Sequence, residues 1–122
     1  MASDSDSAST IEQLASTRVI DITTIGRRSG DPARIEIWWF HVGGRFIITG
    51  TPGPRDWYAN LVADPSIVIH APFGDFDGRA EPVTDPKIRR QVMTHADLSW
   101  YQSQAELETL VGTSPMVQVT LA

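Results

Sequence analysis

Residues 35–49 read IEIWWFHVGGRFIIT and give the clearest structural signal in this chain. The residues before Gly43 and after Gly44 are rich in β-branched and aromatic side chains, which favour strands. The Gly43-Gly44 pair between them is typical of a two-residue hairpin turn, because both turn positions need positive φ angles. The sequence therefore predicts two antiparallel strands, 35–42 and 45–49, joined by a tight turn.

The first of these strands is apolar on both faces. Ile35, Ile37 and Trp39 point one way, and Trp38 and Phe40 point the other way, because successive side chains of a strand alternate. A strand that is buried on both sides is typical of a small barrel or of a subunit interface. A monomeric barrel and a homodimer both remain open at this point.

The rest of the chain extends this hairpin into a mainly β domain. Strands are predicted over 18–24, 67–71, 74–83 (interrupted at Asp77-Gly78) and 116–121, and helices over 56–63, 86–96 and 105–110. Asp56 and Asp85 are the predicted N-caps of the first two helices. Because the hairpins are local, we expect a small antiparallel β-barrel with peripheral helices, of the α+β class, and not a βαβ fold.

The length of 122 residues is that of one domain, with 41% hydrophobic and 20% charged residues. We predict a disordered or weakly helical N-terminal tail over residues 1–17 and a single domain over residues 18–122. The first residues are acidic and polar, so they do not form a secretory signal. No apolar run reaches the roughly 20 residues that span a bilayer, so we expect a cytoplasmic protein without membrane insertion.

Composition excludes several function classes. The chain has no cysteine, which excludes disulfides, thiolate zinc sites and cysteine nucleophiles. The three histidines, at positions 41, 70 and 95, lack metal-ligand spacing, so no metal site is predicted. The net charge of −5 argues against a nucleic-acid partner.

The positive charge is concentrated in one part of the sequence. Residues 18–55 contain six arginines and three acids, whereas the remaining residues contain four basic residues and twelve acids. A basic segment in an acidic protein favours a compact anionic ligand over a polyanion. A few solvated arginines without any ligand would give the same pattern, and charge alone does not separate these two interpretations.

Two short motifs within or beside this basic segment could bind an anion. Arg27, Arg28 and Ser29 lie between two glycines, and Arg34 follows closely. Forked arginine donors, a hydroxyl and free N–H groups in a tight turn suit a phosphate or a carboxylate. The loop 51–55 leads into the helix at 56, whose N-terminus also favours anions, although Asp56 opposes this.

Aromatic side chains occur in two further places. In the helix 56–63, Trp57, Asn60 and Leu61 share one face and could present a flat wall and an amide to a planar ligand, or pack onto the barrel. Trp100 and Tyr101 could line a pocket or form a packed aromatic pair. The residues alone thus indicate a small barrel with a basic loop and name no reaction.

Three segments resemble one known family. They are TTIGRRSG at 23–30, IEIWWF at 35–40 and DWYANL at 56–61. In these segments, and in the hairpin between them, the chain resembles the deazaflavin-dependent nitroreductases and quinone reductases, which are split β-barrel proteins that use coenzyme F-420. The resemblance covers about residues 18–72, with a looser match in the last strand.

The resemblance implies a role for each residue of a candidate site. Arg27, Arg28, Ser29 and Arg34 would bind the phosphate and the acidic tail of the cofactor. The residues that would hold the rest of the cofactor are Thr51, Arg55, Trp57, Tyr58, Asn60 and Leu61, with Ile37 and Trp39 near the deazaflavin ring. Tyr101 is the candidate for proton donation or substrate contact.

The function implied is transfer of hydride from reduced deazaflavin to a small-molecule electron acceptor, namely a quinone, a nitroaromatic or an activated alkene. The cofactor would carry the hydride chemistry, and the protein would bind and orient it. Two alternatives remain: a non-catalytic carrier of F-420 or of a lipid-like anion, and a split-barrel oxidoreductase that binds flavin mononucleotide (FMN).

Overall fold

The computed structural model describes residues 3–122, with side chains from Thr10 onward. Its strands are β1 (Val19–Ile25), β2 (Pro32–Val42), β3 (Arg45–Thr49), β4 (Ser66–Ala71), β5 (Gly74–Pro82) and β6 (Met116–Leu121). Its helices are α1 (Ser3–Ser16), α2 (Asp56–Ala63), α3 (Pro86–Met93), α4 (Ser99–Gln102) and α5 (Leu107–Thr113), with a 3-10 turn at Ala96–Leu98. None of these helices is long and apolar enough to cross a membrane.

The six strands form a closed antiparallel barrel in the order β1-β2-β3-β6-β5-β4, and β4 pairs back onto β1. The predicted hairpin is confirmed: Val42 pairs with Arg45, and the φ angles of Gly43 and Gly44 are +58° and +79°. In the part of the chain that the structure describes, five helices accompany the barrel, so the predicted α+β class with peripheral helices is also confirmed.

Two apolar clusters lie on the two sides of the barrel wall. The interior cluster contains, among others, Ile20, Ile22, Trp39, Ile48, Trp57, Leu61, Ile69, Val117 and Val119. The outer cluster joins the wall to α3, α4 and α5 through Phe40, Val42, Ile47, Val92, Met93, Leu98, Tyr101, Leu110 and Met116. The two faces of β2 and β3 contribute to different clusters because strand side chains alternate.

The prediction that β2 is apolar and buried on both faces holds for its second half only. Trp39 and Phe40 are 0% and 2% exposed, whereas Ile35 and Trp38 are 40% and 42% exposed. The reason is that β3 pairs with β2 only from Trp39 onward and then turns to β6. Residues 32–38 therefore pair with β1 alone, and no strand of the described chain pairs with their other edge.

The described part of the N-terminal segment is helical. Helix α1 covers Ser3–Ser16, and Leu14 is fully buried in the interior cluster. Burial of one leucine side chain stabilises a fold by about 1.5–3 kcal/mol, which is enough to hold the last turn of α1 against the barrel. The end of α1 is thus part of the folded domain.

We expect Leu14→Ala to lower the free energy of unfolding by about 2–3 kcal/mol, because it removes a buried side chain and leaves a cavity. Ile11→Ala, at a position that is 41% exposed, is the matched control and should cost well under about 1 kcal/mol. Urea unfolding of both variants measures the difference. Equal effects would mean that α1 does not dock through Leu14.

The N-cap of α2 and the C-terminal end of α3 differ from the predictions, whereas the N-cap of α3 agrees with them. Asp85 caps α3 as predicted, with its Oδ1 accepting from the Lys87 N–H at 2.9 Å. The predicted cap Asp56 is instead the first residue of α2, and the N-cap position belongs to Arg55 without a side-chain bond. Helix α3 ends at Met93, and the His95 ring then accepts from the Asp97 N–H to start the 3-10 turn, so the predicted extension to residue 96 is wrong.

Strand β5 runs without the predicted interruption at Asp77-Gly78. A Cβ atom at Gly78 would lie 2.9 Å from the carbonyl oxygen of Thr120 on β6. The glycine therefore permits the close approach of two paired strands and does not mark a break.

Candidate functional site

The basic turn is tied to helix α2 through Arg27. Both the Arg27 backbone N–H and its Nη1 donate to Asn60 Oδ1, at 3.1 and 2.9 Å, and Nη2 lies 3.2 Å from Asp56 Oδ1. Asn60 is 5% exposed, and its Nδ2 donates to Thr24 Oγ1 at 3.1 Å. Asn60, which lies on α2, is thus buried and connects this helix to β1 and to the basic turn by hydrogen bonds.

The other polar residues of the motif do not converge with Arg27. Arg28 is exposed and makes no ion pair with any described residue, and Ser29 Oγ accepts from the Asp31 N–H at 3.1 Å. Arg34 donates from Nε to Asp21 Oδ2 at 2.9 Å, on the outer face of β1 and β2. Arg28 is therefore the cation of the turn that is most available to an anion.

The loop between β3 and α2 is held by Arg55. Its Nη2 donates to the carbonyl and to the hydroxyl of Thr51, at 3.0 and 3.1 Å. A Cβ atom at Gly50 would lie 3.4 Å from the same nitrogen, so the guanidinium lies directly above this glycine. Arg55 pairs with no carboxylate in the described part of the chain, so its charge remains free to act on a ligand.

Three residues of the predicted cofactor set are buried in the barrel. Trp39, Trp57 and Leu61 are 0%, 7% and 1% exposed and belong to the interior cluster, with Trp39 stacked on Phe46 at 4.6 Å. These three side chains therefore pack inside the barrel, beneath its surface. Ile37 is only partly buried and packs at the margin of the same cluster.

One edge of β2 has no partner strand over residues 32–38 among the described residues. The Trp39 N–H donates to the Arg18 carbonyl at 2.9 Å, and the β1–β2 register puts residues 33, 35 and 37 at equivalent positions. Since bonded groups alternate between the two edges of a strand, the amides and carbonyls of Arg34 and Glu36 and the amide of Trp38 point to the open edge. The loop 50–55 begins where β3 leaves β2, so it borders the same opening.

Tyr101 lies beside this opening, which we call the β2 cleft: the open edge at 34–38, Thr51, Arg55 and Tyr101. Its ring makes edge contacts with Trp38, Phe40 and Trp100, at centroid distances of 6.4, 5.7 and 5.2 Å. The residue is 7% exposed. The β2 cleft therefore joins a phenol, a guanidinium and free backbone groups.

Burial raises the pKa of the Tyr101 phenol above its ordinary value, and the positive charges of Arg18 and Arg55 partly oppose this rise. Arg18 itself lies over the Phe40 ring at 4.7 Å and 3.3 Å from Asp97 Oδ2. Tyr101 therefore keeps its proton throughout the neutral range.

The two tyrosines of the chain allow a direct test of this pKa. We expect ultraviolet titration of wild type and Tyr101→Phe to differ by one phenol that ionises above pH 10, because the buried anion is disfavoured. Tyr58→Phe is the matched control. Loss of a phenol that ionises at or below pH 10 in Tyr101→Phe would contradict the structure.

A second opening borders the same loop. It has a volume of about 580 Å³ and is bordered by Gly53–Arg55, Tyr58, Val83, Thr84, Pro86, Arg89 and residues 111–115. We call it the α3 groove. Arg89 crosses its floor: Nε donates to the Val111 carbonyl at 2.6 Å, Nη1 to that of Val83 at 2.8 Å and Nη2 to that of Ser114.

The sequence did not identify Arg89 as a functional residue. A single arginine in an amphipathic helix gives no local sign that it will bond to three distant carbonyls. Burial lowers the pKa of its guanidinium, although the group remains charged. Tyr58, assigned to the cofactor by resemblance, lines the α3 groove, whereas Asn60 faces Arg27. The predicted set is therefore not one site: Arg55 and Tyr58 border the α3 groove, whereas Arg27 and Asn60 lie in neither opening.

A further polar cluster lies on the outer face of the barrel. His70 Nε2 is 2.7 Å from Thr23 Oγ1, and His70 Nδ1 is 2.9 Å from Asp75 Oδ1. Among the described residues, no group of three or more histidine or acidic side chains could hold a metal ion. His70 and Asp75 line a shallow opening on this face that is also bordered by Arg34 and Glu36 of β2.

Solved structures share the fold at low sequence identity. The chain is 18% identical to a conserved hypothetical protein from Mycobacterium tuberculosis, with 93% of this chain and 79% of that chain covered and a TM-score of 0.71. It is 17% identical to a structure described as an F420-H2 dependent reductase, with coverage of 86% and 94% and a TM-score of 0.63. A FAD-binding protein from Mesorhizobium loti is 16% identical, with coverage of 94% and 88% and a TM-score of 0.66.

The family assignment comes from the sequence itself. Residues 2–114 match the model of the family described as F420H(2)-dependent quinone reductase, which covers most of the chain. The match includes the basic turn, helix α2 and the aromatic pair at 100–101, and the split barrel is the fold that the earlier resemblance implied. The chain belongs to the F420H(2)-dependent quinone reductase family, and it is an F420-dependent oxidoreductase.

Proposed function

We propose that this protein reduces a flat, electrophilic small molecule, namely a quinone, a nitroaromatic or an activated alkene, and that the reaction takes place at the β2 cleft. The observation that carries the proposal is the composition of this cleft. One edge of β2 offers free backbone N–H and C=O groups, and Tyr101 and Arg55 lie beside it. The members of the cofactor set that line this region are Ile37, Thr51 and Arg55.

The residues of the cleft fit the chemical character of a deazaflavin. The pyrimidine edge of such a ring carries alternating donors and acceptors, which the open edge of β2 can match. Its apolar rings suit Ile35 and Ile37, which are exposed and partly buried at this edge. Its phosphate and acidic tail suit Arg28, which has no ion pair in the described chain, and Arg27.

When bound in its reduced form, the cofactor supplies the hydride, and the protein binds, orients and excludes water. Trp38 and Trp100, 42% and 52% exposed, are in edge contact with a centroid distance of 6.1 Å and together present an aromatic surface to a flat acceptor. The Tyr101 hydroxyl holds a proton that it can donate to an oxygen of the acceptor as negative charge develops there. Arg55 favours the same charge electrostatically.

A cofactor titration tests the proposal first. The four tryptophans supply an intrinsic fluorescence signal, and F420 and FMN are titrated separately. We expect saturable quenching by F420 at micromolar or lower concentration, followed by oxidation of reduced F420 when menadione, a nitroaromatic or an enone is added. A preference for FMN, or binding of F420 without turnover of any acceptor, would contradict the proposal.

We expect Tyr101→Phe to lower kcat about tenfold or more while the affinity for F420 changes less than about twofold, because the hydroxyl acts on the acceptor. Steady-state kinetics and the fluorescence titration measure the two effects. Tyr58→Phe, at a residue that lines the α3 groove and is not part of the β2 cleft, is the control. An unchanged kcat in Tyr101→Phe would remove this residue from the mechanism.

A further inference from the structure

We propose that the α3 groove is a second ligand site, separate from the β2 cleft, and that it binds a small organic anion with a flat apolar body. The proposal concerns residues that the family resemblance does not assign, chiefly Arg89 and Ser114, and it does not depend on which acceptor the enzyme reduces.

The α3 groove is bordered by two positively charged side chains. Arg55 and Arg89 both border the groove, and neither pairs with a carboxylate in the described part of the chain. Arg89 donates only to backbone carbonyls, and Arg55 only to carbonyls and to the Thr51 hydroxyl. The nearest acids along the chain are otherwise engaged, since Asp56 pairs with Arg27 and Asp85 caps α3. Two arginines without a carboxylate partner therefore border one opening, which favours an anion.

The lining of the α3 groove also includes a hydroxyl that has no hydrogen-bond partner in the described structure. Ser114 lines the groove and is 3% exposed, and its Oγ has no hydrogen-bond partner in the described structure. Buried hydroxyls are almost always bonded, so an unpaired one is unusual. The Oγ atom itself is closed off from solvent, so an anion held by the arginines would pair with it after a small shift of the groove wall.

The remaining lining defines the rest of the ligand. Pro54, Val83, Pro86, Val111 and Pro115 give the groove an apolar wall beside its cations. Its volume of about 580 Å³ is within the usual range for a small-molecule site. A flat aromatic carboxylate satisfies both parts of this lining, whereas an inorganic anion would leave the apolar part unfilled.

The test uses the full chain and 2-naphthoate as the probe, followed by nuclear magnetic resonance of the labelled backbone amides. We expect saturable shifts at Gly112, Thr113 and Ser114. The neutral isostere 2-naphthamide should bind at least tenfold more weakly, because it lacks the charge. Inorganic phosphate should also bind at least tenfold more weakly, because it lacks the apolar body. Equal affinity for naphthoate and naphthamide would overturn the proposal.

Variants locate the probe without risking the fold. Gly112→Phe should abolish binding, since Gly112 lines the groove, has open space around its Cβ position and needs no left-handed φ. Arg55→Gln should weaken binding at least fivefold, and Ser114→Ala about threefold. Lys87→Gln removes an exposed charge outside the groove lining and should leave affinity unchanged. Full binding by Gly112→Phe would overturn the site.

Repeating the titration with F420-saturated protein separates the two proposals. We expect naphthoate to bind with F420 present, because the residues that border the α3 groove differ from those of the β2 cleft except for Arg55. Competition between the two ligands would overturn the separate site and assign the groove to the cofactor. Failure of F420 to bind, with naphthoate binding intact, would instead count against the proposed function alone.

Discussion

Arg89→Met is expected to lower the free energy of unfolding by about 3–5 kcal/mol, the largest effect we predict for a single side chain. The substitution keeps most of the aliphatic volume and removes only the guanidinium. Three carbonyls, of Val83, Val111 and Ser114, then lose their donor. Hydrogen bonds to a charged group contribute about 1.5–3 kcal/mol each, and partial access of water reduces their sum.

The location of these carbonyls explains why one side chain matters so much. Val111 and Ser114 lie at the C-terminal end of α5, where the last carbonyls of a helix have no partner within the helix. A cation there is also favoured by the helix dipole. Val83 follows directly after β5, so Arg89 joins α3, α5 and the barrel wall at one point.

The neighbouring arginine is a matched control. Arg90 forms a two-pronged ion pair with Glu108, at 2.9 and 2.7 Å, between the same two helices, but both side chains are largely exposed. Exposed ion pairs contribute little because water screens them, so Arg90→Met should have a small effect. Thermal and urea unfolding compare the two variants. Equal losses would show that the three carbonyls are satisfied by water when Arg89 is removed.

The second large effect is expected on cofactor affinity. Replacing Arg27 and Arg28 together with alanine should weaken F420 binding at least tenfold, because charge-assisted bonds to phosphate or carboxylate contribute about 1.5–3 kcal/mol each. The fluorescence titration measures this change. Arg45→Ala removes one positive charge from the β3 end of the hairpin and should leave the affinity within about twofold.

The single variants separate binding from folding in this turn. Arg27 holds Asn60 and Asp56, so Arg27→Ala should also lower the melting temperature. Arg28 has no ion pair with a described residue, so Arg28→Ala should weaken F420 binding several-fold at an unchanged melting temperature. Unchanged affinity in the double variant would exclude the basic turn as the cofactor's anion site.

Local signals account for the parts of the fold that were predicted well. The Gly43-Gly44 turn and the β-branched runs around it identify the hairpin, because turn geometry and strand preference depend on neighbours in sequence. The bounds predicted for β3, α2 and β6 agree with the structure, and Asp85 caps α3 as expected. The short elements at 96–102 were not predicted, since they depend on the packing of Leu98 and Tyr101 onto the barrel.

The candidate site was predictable as a set of residues but not as an arrangement. The resemblance places Arg27, Asn60 and Arg55 in one site, and no sequence feature shows that Asn60 clamps Arg27 or that Arg34 turns to Asp21. These contacts join residues 13 to 33 positions apart, so they follow from how the barrel closes. The resemblance also gives no reason to look at Arg89.

By itself, the sequence determined the strands, the tight hairpin, the α+β class and the family, because each of these depends on residues that are near one another in the chain. Only the tertiary structure decided which edge of β2 is left open, that Leu14 brings α1 into the core, and that residues 53–55 border a groove together with α3 and α5. The physical reason is that pairing, burial and charge compensation are decided between distant segments, and they become defined only when the barrel has closed.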